Sequence, residues 1–270
     1  MYGVVNTEGQ NSMSTSSRWT RNRLKFLLAG PLLEAGNRFM LGRPHQRLAQ
    51  EVAAERPRRV LELCGGTGYA SRLVAELRPN TRIDSIDISP EMLAVGRSQL
   101  RRSGVGNVTL HRGDAAILPF PDNTFDVVMS VFGWHELPTD TRREAVKESV
   151  RVLRPGGAII AIDHDAPPKL GRAYRAYIGL IERAHAREVL GSGLADLFVD
   201  HRLVVTNHHP ASSWSVPFQI VRAELRDPDE HVDAQFLRPA EVDPVGVVLR
   251  RGTGCEVHGC TFPSRGHPAR

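Results

Sequence analysis

Between Arg59 and Asp163 the chain alternates short apolar runs with amphipathic stretches, and this alternation constrains the fold more than any other feature. Val60–Leu63, Arg82–Ile88, Val108–Arg112, Phe125–Val131 and Ala158–Asp163 read as strands. A helix ending at Leu77, then Pro90–Arg102 and Asp140–Leu153, fill three of the intervals. Strands alternating with helices predict a parallel sheet with crossover helices packed on both faces, an α/β architecture. The runs VVMSV and AIIAI lack strict polar alternation, as strands buried on both faces should.

The flanks carry weaker signals. Residues 1–17 are rich in Ser, Thr and Asn and are expected to be a disordered tail. Residues 18–55 show helical spacing, broken by Pro31, Gly36 and Pro44, and are expected to form a helical lid. The main domain should run from 56 to 224. It includes a helical cover over Tyr174–Val189 and an antiparallel pair, Leu203–Thr206 with Gln219–Ala223, joined by a bend over His208–Pro217. Residues 225–270 hold many Pro, Gly and Arg and read as poorly ordered. Three cysteines, Cys64, Cys255 and Cys260, make no disulfide framework and point to a reducing cytoplasm. No run of eighteen apolar residues occurs, so no spanning helix is expected. The net charge of +5 is carried almost wholly by arginine. Without an aromatic-interleaved basic platform it does not indicate nucleic acid.

The segment from Val60 to Ser71 ends a strand in a turn holding Gly65, Gly66 and Gly68, and then opens a helix. Glycines there allow positive φ and let a ligand approach the backbone at the carboxyl end of a parallel strand. Two nucleotide readings compete. A dinucleotide fingerprint needs Gly or Ala where Ser71 stands. An adenosyl ligand needs an acid after the second strand for the ribose hydroxyls and a polar group after the third for the adenine amine. Asp87 and Asp114 occupy those positions. Glu62 is placed to anchor the turn or to reach the ligand's ammonium group through water.

These segments resemble the class I S-adenosylmethionine-dependent methyltransferases, and within them the UbiE-like and small-molecule methyltransferases. Leu61–Gly68, Asp87–Leu93, Gly113–Val128 and Arg151–Gly157 carry the resemblance, in that order, within roughly Pro57 to Pro168. It implies a Rossmann-like fold and S-adenosylmethionine as cofactor. It implies Glu62, Gly65, Gly66 and Gly68 around the methionine part, Asp87 at the ribose, and Ile88 and Met92 flanking the adenine. Asp114 and Ala115 would face the adenine amine edge, and Ser130 the cofactor floor. Cys64 stands where the family has a glycine and reads as a packing residue.

The expected activity is methyl transfer to a small organic acceptor, aromatic or quinone-like. The alternatives are a methyltransferase-fold protein that binds the cofactor without turnover, and a nicotinamide-dependent oxidoreductase. His135, after the fourth strand, is the first candidate for a general base. His164, flanked by Asp163 and Asp165, is the second. Cys255, His258, Cys260 and His267 lack the paired spacing of structural zinc sites, so no metal is expected. Arg18–Leu41 suits a lid over the cofactor, with peripheral membrane contact as its alternative.

Overall fold

The computed structural model describes residues 42–166, 184–213 and 216–226. The chain divides into two units, Met1–Asp229 and Glu230–Arg270, and every described residue belongs to the first. Residues 1–17, residues 18–41 of the lid, residues 174–183 of the cover and residues 227–270 of the C-terminal tail, with the Cys255–His267 group, lie outside the described residues, while Leu225, the first residue of that expected tail, closes the last strand opposite Leu203.

Helix α1 spans Gly42–Ala54, and β1 (Arg59–Leu63), α2 (Tyr69–Leu77), β2 (Arg82–Asp87), α3 (Pro90–Ser103) and β3 (Val108–Arg112) follow. Strand β4 (Phe125–Val131) leads into a 3-10 turn (Trp134–Glu136), then α4 (Thr139–Val152) and β5 (Leu153–His164). A 3-10 segment (Ala184–Val189), α5 (Gly193–Val199), β6 (Leu203–Ser213) and β7 (Val216–Leu225) complete the order. The sheet runs β3-β2-β1-β4-β5-β7-β6. The first five strands in that order pair in parallel, and β7 pairs antiparallel with both β5 and β6.

Local chemistry explains the boundaries. Helix α3 opens on Ser89, whose hydroxyl accepts from the Met92 amide, has Pro90 in its first turn, and closes on Gly104 at φ 70°. On one sheet face Leu48, Ala49 and Val52 of α1 pack with Val74, Leu93, Met129, Ile160 and Ile162. On the other, Leu61, Val128, Ile159 and Ala161 meet Val146 of α4 and Leu194 and Phe198 of α5. The sheet is thus covered on both sides, and the Gly-rich turn sits at the carboxyl end of β1, an interior strand between β2 and β4.

The strands and helices expected between Arg59 and Asp163 are present, as is the antiparallel pair after them. The expected bend over His208–Pro217 is extended in its described residues, 208–213 and 216–217, with His208 opposite Val221 and Ser213 opposite Val216. Pro210 is tolerated because β6 is the sheet edge, where a missing N–H costs no ladder bond on the open side. The end of the predicted cover, Ala184–Val189, is a 3-10 segment.

Candidate active site

After Leu63 the backbone enters the left-handed region at Cys64 (φ 53°), Gly66 (54°) and Gly68 (67°). A Cβ on Gly65 would overlap Ser85 Oγ and stand 2.7 Å from Glu62 Oε2, so only glycine fits there. Beneath the turn Glu62 is 3% exposed and accepts from Ser71 Oγ (2.5 Å) and Ser85 Oγ (2.8 Å). Burial drives the Glu62 carboxyl up to about 7, against the two hydroxyl donors. Ser71 thus serves Glu62, and this explains why the dinucleotide fingerprint is broken at that position.

Asp87 holds the turn from the neighbouring strand. Its Oδ2 accepts from the Gly66 amide at 2.7 Å and its Oδ1 from the Ser89 amide at 2.8 Å. Burial raises its carboxyl, and backbone donors from Ser89, Gly66 and Ile88 oppose that rise. Met92 approaches the same turn, its Cε 3.1 Å from where a Gly66 Cβ would lie, and Ile88 is 45% exposed beside Asp87. The Gly113 amide bonds to Asp87 O at 3.0 Å and so joins the ends of β2 and β3. There Ala115 is buried and Asp114 Oδ1 accepts from the Ala116 amide at 2.9 Å. Ser130 is 1% exposed, its Oγ has no hydrogen-bond partner among the described residues, and it lies with Cys64 against Gly133. The turn, a carboxylate with spare lone pairs, an exposed apolar side chain and an unpaired hydroxyl fit the demands of an adenosyl sulfonium ligand.

Beyond β4 the backbone is again left-handed at Phe132 (φ 52°), and the 3-10 turn follows. His135 is 5% exposed, its amide donating to Asp163 Oδ2 (3.1 Å) and its Nδ1 lying 2.7 Å from Asp163 Oδ1. Burial would raise the Asp163 carboxyl, but the His135 imidazole, its hydrogen bond and His164 hold it below its usual value. An ionised carboxylate only accepts, so Nδ1 carries the proton and Nε2 is the basic nitrogen. His164 lies 4.6 Å ring to ring from His135, and burial, followed by the repulsion of the His135 ring when that ring is protonated, pushes it down to about 4. It is therefore neutral near pH 7.

Phe132 stacks tilted on His164 at 4.9 Å and meets His45 at 6.3 Å, and His45 meets Tyr69 at 5.2 Å. Five rings thus run from α2, just after the Gly-rich turn, to the His135–Asp163 pair. Beside them, a cavity of about 480 Å³ opens between Gln46, Arg47 and Gln50 of α1 and His209, Ala211, Phe218 and Ile220 of the β6–β7 hairpin. Phe218 stands opposite His164 in the β5–β7 register, so cavity and ring row adjoin.

Sequence adjacency offers Asp163 as an orienter of His164, and strand parity argues against that pairing. In the structure the side chain of Asp163 meets His135, 28 positions earlier. Asp163, Phe132, His45 and Tyr69 were not identified from sequence as parts of the site. The parity of β5 was the available signal for Asp163.

Residues 60–157 match the family model described as a methyltransferase domain. The chain is 37% identical over 158 residues to a ubiquinone/menaquinone biosynthesis C-methyltransferase UbiE of Ectopseudomonas mendocina, covering 57% of this chain and 59% of that one. It is 34% identical over 182 residues to the protein of the same description from Pseudomonas paraeruginosa, covering 65% of this chain and 69% of the relative. The crystal structure of YcgJ from Bacillus subtilis superimposes with TM-score 0.53 at 22% identity, over 63% of this chain and 92% of that one, and shares the fold. The chain belongs to the class I S-adenosylmethionine-dependent methyltransferases. No helix among the described residues is long and apolar enough to cross a membrane.

Proposed function

We propose that this chain transfers a methyl group from S-adenosylmethionine to a small acceptor carrying a flat ring, a phenol or quinol, and that His135 takes the acceptor's proton. The observation that carries this reading is the His135–Asp163 pair at the end of the ring row. The C-methyltransferase description of its relatives supports a quinone-like ring. Glu62, Gly65, Gly66 and Gly68 would hold the methionine end of the cofactor, and Asp87 the ribose. Ile88, Met92, Asp114 and Ala115 would hold the adenine, and Ser130 would line the floor. When bound, the cofactor supplies a sulfonium methyl group open to in-line displacement. Phe132 and neutral His164 orient the acceptor ring and exclude water. His135 Nε2 receives the proton from the acceptor hydroxyl, and Asp163 stabilises the imidazolium that results. The cavity beside Phe218 leaves room for ring substituents.

Calorimetry with S-adenosylmethionine, S-adenosylhomocysteine and NADH tests the cofactor half. Micromolar binding of the adenosyl ligands alone is expected. Asp87→Ala should weaken it ~10–100-fold, the worth of hydrogen bonds to a charged group. NADH binding alone would overturn the reading. A screen of phenols and quinols tests the other half, with His135→Gln expected to cut turnover ~100-fold or more while cofactor affinity holds.

A further inference from the structure

The 3-10 turn that carries His135 is only Trp134–Glu136, and its backbone closes through Glu136 N–H to Gly133 O and Leu137 N–H to Trp134 O, both at 3.3 Å. Two side chains outside it hold it from opposite sides, Asp163 through the His135 amide and ring and Arg142 through the flanking carbonyls. Arg142, in the first turns of α4, is 3% exposed. Its Nε donates to Trp134 O at 2.8 Å and its Nη2 to Leu137 O at 2.9 Å, which brackets His135 on both sides. Nη2 also donates to His185 O (2.9 Å) and Nη1 to Glu188 Oε2 (3.1 Å), both in the 3-10 segment after β5. Thr139 Oγ1 lies 2.9 Å from both Glu188 oxygens and steadies that anchor.

An apolar side chain would fill the same volume without the cost of burying a cation. That cost is met by three carbonyl oxygens and by the charges of Glu188 and Asp163, which oppose the downward push of burial on the guanidinium. The fork geometry explains the residue type. Only a planar guanidinium can direct donors to Trp134 O, Leu137 O and His185 O at once, and a lysine ammonium cannot span them. The same arrangement fixes where His135 Nδ1 meets Asp163, since the His135 amide and ring are held from the Asp163 side while its flanking carbonyls are held from the Arg142 side.

We propose that Arg142 is a positioning residue that sets the His135 turn against Asp163 and ties it to the Ala184–Val189 segment. The inference rests on the reading of His135 as the base, and the test separates the two. In proton NMR of the full chain, a His135 Nδ1–H bonded to a buried carboxylate gives a far-downfield resonance, absent from His135→Gln. In Arg142→Lys, which keeps the charge and loses the fork, that resonance should broaden into solvent exchange. Turnover with a phenol or quinol found in the screen should fall ~10–100-fold, as expected for a misplaced group, at unchanged KM. S-adenosylhomocysteine affinity should stay within about twofold, since Arg142 touches no part of the Gly-rich turn. A purely structural Arg142 predicts a lower unfolding midpoint with resonance and turnover at wild-type level, and that result overturns the proposal. If Arg142→Lys does not fold, Glu188→Ala decides: its side chain is 48% exposed, and its removal takes the acceptor from Arg142 Nη1 and from Thr139 Oγ1 while Nε and Nη2 keep their carbonyls. Faster exchange of the resonance in that variant supports the proposal, and unchanged exchange overturns it. A resonance that weakens while turnover survives both Arg142→Lys and His135→Gln sinks the base assignment instead.

Discussion

Glu62 is a single residue whose protonation should be visible in the stability of the whole domain. Its carboxyl titrates near 7 in the folded chain and near 4.5 when exposed, with burial as the main cause. The folded state therefore holds a proton that the unfolded chain gives up between those values. Stability should fall as pH rises from about 4.5 to about 7 and level off above, by roughly 3 kcal/mol if no other group compensates. Glu62→Gln keeps an acceptor for Ser71 and Ser85 and removes the buried charge. Urea unfolding at pH 5 and pH 8 should show a smaller pH slope in the variant and a higher midpoint than wild type at pH 8. Equal slopes would mean that Glu62 does not titrate in this range. Residues of this kind were legible in the sequence, because Glu62, Gly66 and Asp87 sit at fixed steps from strand ends. Asp163 was not, because its partner is chosen by strand parity and tertiary register and not by sequence neighbourhood.

At the scale of elements, the Gly-rich turn is supported by helix α3, and Gly96 sets how closely the two approach. A Cβ there would lie 2.5 Å from the Thr67 carbonyl oxygen and 2.8 Å from Leu110 Cδ1. Backbone cannot retreat as a flexible side chain can, so Gly96→Ala must tilt α3 or shift the turn. Overpacking costs about 1–3 kcal/mol, and the better helix propensity of alanine returns up to ~1 kcal/mol. The net result should be a lower urea midpoint together with weaker S-adenosylhomocysteine binding, because Met92 and the turn move with the helix. Gly106→Ala is the control, since a Cβ there meets nothing within 4 Å. Stability at or above wild type in Gly96→Ala would refute the close contact. The elements from β1 to β5 could be read from apolar runs and the α3 cap. The extent of the β6–β7 hairpin could not: His208, His209, Pro210, Ser212 and Ser213 lack an apolar face, and only cross-strand pairing with Val216–Val221 makes them a strand.

Across the whole domain, the strand order brings together parts that are far apart in the chain. Arg222 on β7 holds Glu55, just past α1 and 167 positions earlier, through Nε to Oε1 at 2.9 Å and Nη2 to Oε2 at 3.0 Å. Its Nη1 donates to Thr206 Oγ1 at 2.6 Å on β6 and also pairs with Glu224. This two-pronged bond, with Arg222 20% and Glu55 31% exposed, fixes the far end of the helix whose other end walls the cavity beside His164. Most of the attachment of α1 is apolar, through Leu48, Ala49 and Val52, so the ion pair should contribute only about 1 kcal/mol. Its loss should act locally before it acts globally, because α1 joins the sheet through one face while β1 and β4 are bonded on both edges. In Glu55→Gln, amide hydrogen exchange should quicken in Gly42–Ala54 by about fivefold, the rate equivalent of that energy. Amides of β1 and β4 should keep their protection to within the change in global stability. Uniform acceleration across helix and sheet would show that α1 and the sheet open as one unit. No acceleration anywhere would show that the apolar face alone holds the helix.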